Sequence, residues 1–372
     1  MPTDTPRRAA SARPTVLVVG ARGIPDVEGG AEKNAERLFP LIAAAGYRVI
    51  LLGLEGLVRS GEYRGVELRT APNKRLLNTD KLFYYMHAVR VARREKPDIV
   101  HLQGLGASLF LWAYKLIGAR VVVRYGSADY ILGKWGALGR LGFRAAEMQT
   151  RFADAVIAVG PALVRRLAEH GISRNVHLVG NAIDGFAASV ATGAAVEAAD
   201  PPFILLVGRV TMQKNVDNVV RGFRRFREGG SRHRLLIAGG LDDEEYVRSL
   251  RPLLGDEVDL LGRCDRARLD ELYRDCAVFI NGSVHEGASN AVLEAIGRDC
   301  PVILSGIAEN RDFALAEHAY FDPLDPDAIA RAIAAAVARP GDFRVDRSRF
   351  MTWDQVGEKT LSIYRALLGR SA

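Results

Sequence analysis

At 372 residues the chain is longer than one hydrophobic core comfortably fills, so two domains are the expectation. With 48% hydrophobic and 26% charged residues it is excluded from the disordered class, and three cysteines (Cys264, Cys276 and Cys300) without a C-x-x-C pair argue against a disulfide framework or zinc site. Of the net charge of +7, residues 1–182 carry 27 Lys and Arg against 15 Asp and Glu, and the remainder 24 against 29; the basic first half fits an anionic acceptor, membrane headgroups or a solvated surface equally well.

Residues 1–13 form a polar, flexible tail with Arg7, Arg8 and Arg13 but no apolar stretch behind them, so no signal peptide is expected. No run approaches the roughly 20 apolar residues of a membrane helix. A cytoplasmic protein follows from these features and from the thiols, which suit a reducing compartment.

Six strand-length runs come next: TVLVVG (15–20), RVILLGL (48–54), DIVHLQ (98–103), ARVVVRY (119–125), DAVIAVG (154–160) and NVHLVG (175–180). They are nearly continuous in Val, Ile and Leu, as strands buried on both faces are. Amphipathic stretches separate them, one ending at Gly46 and another stopping before Pro97. This alternation predicts an N-terminal Rossmann-like domain over 14–184. Residues 185–202, small, polar and closed by prolines, read as a linker. The pattern then repeats over 203–352, with strands at 203–208, 234–240, 258–262, 277–282, 300–305 and 319–322. A last amphipathic helix, about 353–369, has no strand after it. The predicted fold class is α/β, two parallel-sheet Rossmann-like domains facing across a cleft. Strand C-termini and helix N-termini line such a cleft, which is where a ligand belongs.

Three segments carry chemistry. In AVFINGSVHEGASNAVLEAIGRD a strand leads through Gly282, Ser283 and Gly287 into a helix starting near Ala288–Asn290. Its unpaired N–H groups and positive dipole end suit a pyrophosphate, and Gly287 permits close backbone approach. Glu286 is placed to accept hydrogen bonds from sugar hydroxyls, and Glu294 those of a ribose diol. A capped helix with two surface glutamates has the same spacing, and spacing does not separate the two. In FILLVGRVTMQKNVDNVV, Arg209 and Lys214 follow a strand exit at Gly208, a pair able to grip a leaving diphosphate without a metal. Near the start, Gly20 and Gly23 do not complete G-x-G-x-x-G, whereas Gly29 and Gly30 stand directly before a helix.

Taken together, GGAE (29–32), GNAID (180–184), GR…K (208–214), LLGRC (260–264), EGASNAVLEA and CPVILS occur in one order along nearly the whole chain. The chain thereby resembles the retaining glycosyltransferases of the GT-B fold that carry a Glu-x7-Glu motif, of the bacterial exopolysaccharide and lipid-linked glycan type. The resemblance implies a hexosyl transfer from a nucleoside-diphosphate sugar, a co-substrate rather than a cofactor, with retention and no metal. Glu286, Arg209 and Lys214 would be catalytic. Gly29, Gly30, Arg263, Gly287, Ala288, Ser289, Asn290 and Glu294 would bind the donor, with Arg263 at the base and Glu294 at the ribose. The last helix would cross back to the N-terminal domain. The acceptor would be a glycan or polyprenyl-diphosphate-linked chain at the inner membrane face, with peripheral contact to anionic lipid and no nucleic acid.

Two departures from that family stand out. Asn215 follows the lysine where glycine is common, and Arg124 and Tyr125 fall where a histidine near the sugar is common. Arg124, Tyr125, Asp129 and Tyr130 are the candidate acceptor residues, and His101, at the end of the preceding strand, is read either as a core histidine or as one that supports the site from behind. A nucleotide-sugar 2-epimerase of the same fold and a non-catalytic nucleotide-sugar-binding subunit are the rival readings.

Overall fold

The computed structural model describes residues 13–73, 81–127, 137–184 and 200–369. Asp129, Tyr130 and most of the expected tail and linker lie outside the described residues.

The first sheet holds β1 (Thr15–Val19), β2 (Arg48–Leu54), β3 (Gly61–Tyr63), β4 (Val66–Ala71), β5 (Ile99–Gln103), β6 (Arg120–Tyr125), β7 (Ala155–Ala158) and β8 (Val176–Leu178), in the order β3-β4-β2-β1-β5-β6-β7-β8. All its pairings are parallel except β3 with β4. Along β1, Leu17 and Val19 enter the core on one face, Val16 and Val18 that on the other. Burial on both faces is why these strands read as continuous apolar runs. The β3–β4 hairpin was not among the expected strands. Its sequence, GEYRGVELRTA, mixes charge into an edge position and so lacks the apolar run that marks the others.

The second sheet holds β9 (Phe203–Val207), β10 (Arg234–Ala238), β11 (Val258–Gly262), β12 (Val278–Asn281), β13 (Val302–Ser305) and β14 (Tyr320–Phe321), in the order β11-β10-β9-β12-β13-β14. Every pairing is parallel. Both faces are again covered, one by the cluster containing Phe223 and Ile329, the other by that containing Tyr273 and Val292.

Two crossings join the domains side by side. Ile183 bridges Thr352, and the Ile183 amide donates to the Met351 carbonyl at 3.0 Å. Thr352 then caps the helix Trp353–Leu367 with a reciprocal bond pair to Gln355. That helix buries Val356, Leu361 and Tyr364 against Leu38, Phe39 and Ile42 of the helix Gly30–Ala44, so it crosses back to the first domain's core. His101, on β5, is fully buried there; its Nδ1 lies 2.6 Å from the Tyr364 hydroxyl, and burial, then the Arg124 charge, lower its pKa to about 3.

Candidate active site

The C-terminal ends of the two sheets face each other across a cleft of about 810 Å³. Gly29, Gly30, Arg124, Arg209, Lys214, Arg263, Glu286, Gly287, Ala288, Ser289, Asn290 and Glu294 all line it. Residues more than 250 positions apart in sequence are thus brought to one wall or its opposite.

Glu286 lies at the centre of a buried polar cluster. One carboxylate oxygen accepts from the Lys214 ammonium, from Ser283 Oγ at 2.7 Å and from Asn281 Nδ2 at 3.4 Å. Burial alone would raise the Glu286 pKa. The Lys214 charge and these donors outweigh it, and the carboxyl is held below its ordinary value. The group is therefore an ionised hydrogen-bond acceptor, not a proton donor, near neutral pH.

Lys214 reaches this point because the backbone bends at two places. Gly208 takes φ +153°, and a Cβ there would press on the Lys214 side chain. Asn215 is left-handed at φ 55°, a conformation glycine and asparagine tolerate best. Its amide also donates to the carbonyls of Gly282 at 3.1 Å and Pro323 at 2.7 Å. The asparagine thus supplies the backbone freedom of the expected glycine and ties two loops together. Gln213 adds a second tie, its amide donating to the His285 carbonyl at 2.9 Å. Arg209 stays exposed on the cleft wall.

Glu294, on the helix Asn290–Gly297, accepts from the Tyr273 hydroxyl at 2.8 Å and from the Lys33 ammonium of the opposite domain. Lys33 also lies 3.3 Å from Asp184. Asp184 gathers Arg37 at 3.2 Å, Arg266 at 2.8 Å and the Trp353 indole N–H at 2.9 Å. Burial would raise its pKa, and the charges of Lys33, Arg37 and Arg266 hold it far below the ordinary value. Asp184 ends the GNAID segment, so this charge knot sits at the first crossing.

Arg263 is held by Glu28 at 2.8 Å across the cleft and by Asp242 at 2.6 Å beside it. Gly287 meets the other domain directly: a Cβ on it would overlap the carbonyl oxygen of Gly126. The closeness that demands glycine here is domain against domain. Gly30 faces the Asn290 amide from across the cleft. Buried Arg124 donates to Asn181 Oδ1, whose Nδ2 donates to Asn290 Oδ1 at 2.9 Å and the Ala288 carbonyl at 3.0 Å.

Tyr125 does not join them. Neighbouring strand residues point to opposite faces, and Tyr125 turns into the first core, its hydroxyl donating to Glu147 and accepting from Arg166 Nε at 3.2 Å. The expectation of a cleft-facing hydroxyl is corrected accordingly. Ser283, Asn281, Tyr273, Lys33, Asp184 and Asn181 join the site without having been given a role. Of these, Asn181 and Asp184 carried a sequence signal inside GNAID, and Asn281 and Ser283 inside the segment that holds Glu286.

Among the described residues no cluster of three or more His, Cys, Asp or Glu stands ready for a metal ion, and no helix is long and apolar enough to cross a membrane. The three cysteines are free thiols.

A fold of two facing parallel sheets with this cleft is the architecture of GT-B glycosyltransferases. Residues 28–185 match the model of glycosyltransferase family 4, and residues 193–349 that of the glycosyl transferases group 1. The chain belongs to the glycosyltransferases that join these two halves and is a glycosyltransferase enzyme. It is similar to an uncharacterized glycosyltransferase of Methanocaldococcus jannaschii, 28% identical over 45% of each chain, so the match spans less than half of that relative. The lipopolysaccharide core biosynthesis glycosyltransferase LpsE of Rhizobium meliloti is 26% identical over 74% of this chain and 75% of its own. Sucrose-phosphate synthase from Thermosynechococcus elongatus superposes with a TM-score of 0.79 at 19% identity, over 96% of this chain and all of that one, a likeness of fold.

Proposed function

We propose that the enzyme moves a hexosyl group from a nucleoside-diphosphate sugar to a hydroxyl of a glycan or polyprenyl-diphosphate-linked acceptor, with retention and without a metal. The observation that carries this reading is the Lys214–Glu286 pair, a buried cation and carboxylate facing a cleft that both domains line. On donor binding Lys214 and the exposed Arg209 take the diphosphate, offsetting the charge that grows on it as the glycosidic bond breaks. Glu286 then accepts hydrogen bonds from hydroxyls of the transferred sugar. The departing phosphate oxygen takes the acceptor proton, so no strong general base is needed. Glu294, already holding the Tyr273 hydroxyl, receives the ribose diol after Lys33 moves aside. Gly29 and Gly30 admit the diphosphate from the other domain, and Arg263 meets the base. Arg124 borders the sugar end of the cleft through its contact with Asn181. The work is done in the cytoplasm, at the inner face of the membrane, in the synthesis of exopolysaccharide or a lipid-linked glycan.

The test is transfer from a panel of nucleoside-diphosphate sugars, chosen by the thermal shift each produces. Glu286→Ala and Lys214→Ala are expected to lower kcat by orders of magnitude in folded protein. Wild-type turnover in both variants overturns the site. A product of inverted anomeric configuration overturns retention, and loss of activity in chelator restored by Mg²⁺ overturns metal independence. A C2-epimerised donor formed without acceptor assigns the chain to the epimerase reading instead.

A further inference from the structure

Seven Lys and Arg side chains line the cleft, and five of them are engaged by carboxylates. Lys33 is paired with Glu294 and Asp184, Lys214 with Glu286, Arg263 with Glu28 and Asp242, Arg266 with Asp184, and Arg298 with Asp270. Among the described residues, Arg209 and Arg124 have no carboxylate in ion-pair contact. Arg209 is exposed, so water covers its charge until a diphosphate takes it. Arg124 is only 5% exposed and has no such cover.

Arg124 is the last residue but one of β6, on the face opposite Tyr125. Its Nη2 donates to Asn181 Oδ1, a neutral group. Glu32 acts on it only through space, and the Glu32 carboxylate is already held by the Arg22 amide and Nε, each at 3.0 Å. Burial lowers the Arg124 pKa to about 10 against the Glu32 charge, so the guanidinium stays cationic near neutral pH. A buried cation without a counter-charge is costly, and holding Asn181 requires only a neutral donor. Gln103, the β5 residue in register with Arg124, keeps its Oε1 buried and without a partner among the described residues. This corner of the cleft is therefore short of an anion and of a hydroxyl. It is also the sugar end. A Cβ on Gly126 would meet Arg124 Nη1 at 2.9 Å, and the Gly126 carbonyl abuts Gly287, the residue after Glu286.

We propose that Arg124 binds a carboxylate on the transferred sugar, so that the donor is a nucleoside-diphosphate hexuronate, a sugar oxidised to the acid at C6. The inference rests on the proposed function, since it names the sugar that this cleft receives. A planar guanidinium takes a carboxylate through two parallel hydrogen bonds, a geometry that a neutral hydroxymethyl group does not offer. Glu286 has its own cation in Lys214, so the two carboxylates do not compete for one partner. The acid is a handle and not a reactant. The bond from C1 to the diphosphate oxygen breaks, a bond from C1 to the acceptor oxygen forms, and the acceptor proton leaves on the phosphate with the sugar carboxylate unchanged.

The experiment compares binding and transfer by the full chain for UDP-glucuronate against UDP-glucose, and for GDP-mannuronate against GDP-mannose. The expected result is that the uronate of one pair is preferred about tenfold or more in Kd and kcat/KM. Arg124→Met should remove that preference, and Arg124→Lys, which keeps a point charge without the fork, should retain part of it. UDP and GDP end at the diphosphate and should bind both variants as they bind the parent, which also shows that the variants are folded. A neutral sugar used as well as its uronate by the parent enzyme overturns the inference without any variant, and a preference that survives Arg124→Met does so too. A third outcome assigns the anion to the acceptor and also overturns it: neutral donors are used, and Arg124→Met raises KM for a polyprenyl-diphosphate-linked acceptor but not for an alkyl glycoside. Use of neutral sugars leaves the proposed function standing, whereas binding of no nucleotide sugar overturns that function and the inference together.

Discussion

Gly287 and Gly126 come from different domains and touch backbone to backbone, leaving no room for a side chain between them. Gly287 directly follows Glu286 and opens the loop into the donor helix. Substituting it therefore moves the carboxylate relative to the first domain while leaving each domain's core untouched. Gly287→Ala is expected to lower kcat/KM about a hundredfold, the effect of roughly an ångström of misplacement. Its unfolding midpoint should stay near that of the parent. Steady-state transfer beside a thermal melt checks this, and an active alanine variant shows that the domains work further apart.

The Lys214–Glu286 pair separates stability from activity. Both side chains are largely buried, so removing one partner strands the other. Lys214→Met or Glu286→Gln alone should cost about 3 kcal/mol. The double variant should recover most of that and none of the turnover. Urea unfolding of the four proteins gives the coupling. The carboxyl is held below its ordinary pKa, so the pair's contribution is complete above the usual carboxylate range and is lost as pH falls through the lowered value. The activity loss of Glu286→Gln should not be rescued at any pH.

Much of the fold was legible because buried parallel strands announce themselves as apolar runs, and all twelve expected runs contain a strand. The β3–β4 hairpin escaped because an edge strand need not be apolar. The glycines and charges of the site were legible where local rules apply: Gly208 and Asn215 mark unusual backbone, and Arg209, Lys214 and Glu286 mark loops at strand exits. Lys33 on Glu294 was not legible, since 261 positions separate them and nothing local to either names the other. Tyr125 was misread for a related reason. In VVVRY both faces are buried, so hydrophobicity does not say which of Arg124 and Tyr125 faces the cleft.

Asp184 joins three cations and an indole at the first crossing, and two of those cations belong to the helix that starts at Gly30. Asp184→Asn leaves them without their common partner. Arg266 is about half exposed and water screens part of its charge. The expected cost is about 2 kcal/mol rather than the full value of a sealed pair. The domains should also spread, raising the radius of gyration in solution scattering, and saturating donor should reverse the spread. An unchanged scattering profile would show that the apolar packing of the helix Trp353–Leu367 sets the domain angle alone.

His101 gives the protein a pH dependence away from the cleft. Its ring is neutral in the folded state, with a pKa lowered to about 3 by burial and by the Arg124 charge, against an ordinary value of 6.5. Between those values the unfolded chain takes up a proton that the folded chain refuses. Stability is therefore level above about pH 7 and falls on acidification, by up to about 1.4 kcal/mol per pH unit. At pH 5 this single ring should cost about 2 kcal/mol relative to pH 7. His101→Phe loses the bond to Tyr364 at every pH but also loses the titration. The stability gap between the parent and this variant should thus narrow by about 2 kcal/mol from pH 7 to pH 5. Urea unfolding at the two pH values reads the gap, and a gap that does not change would mean that the folded protein admits the proton, with the Tyr364 hydroxyl turned to accept it.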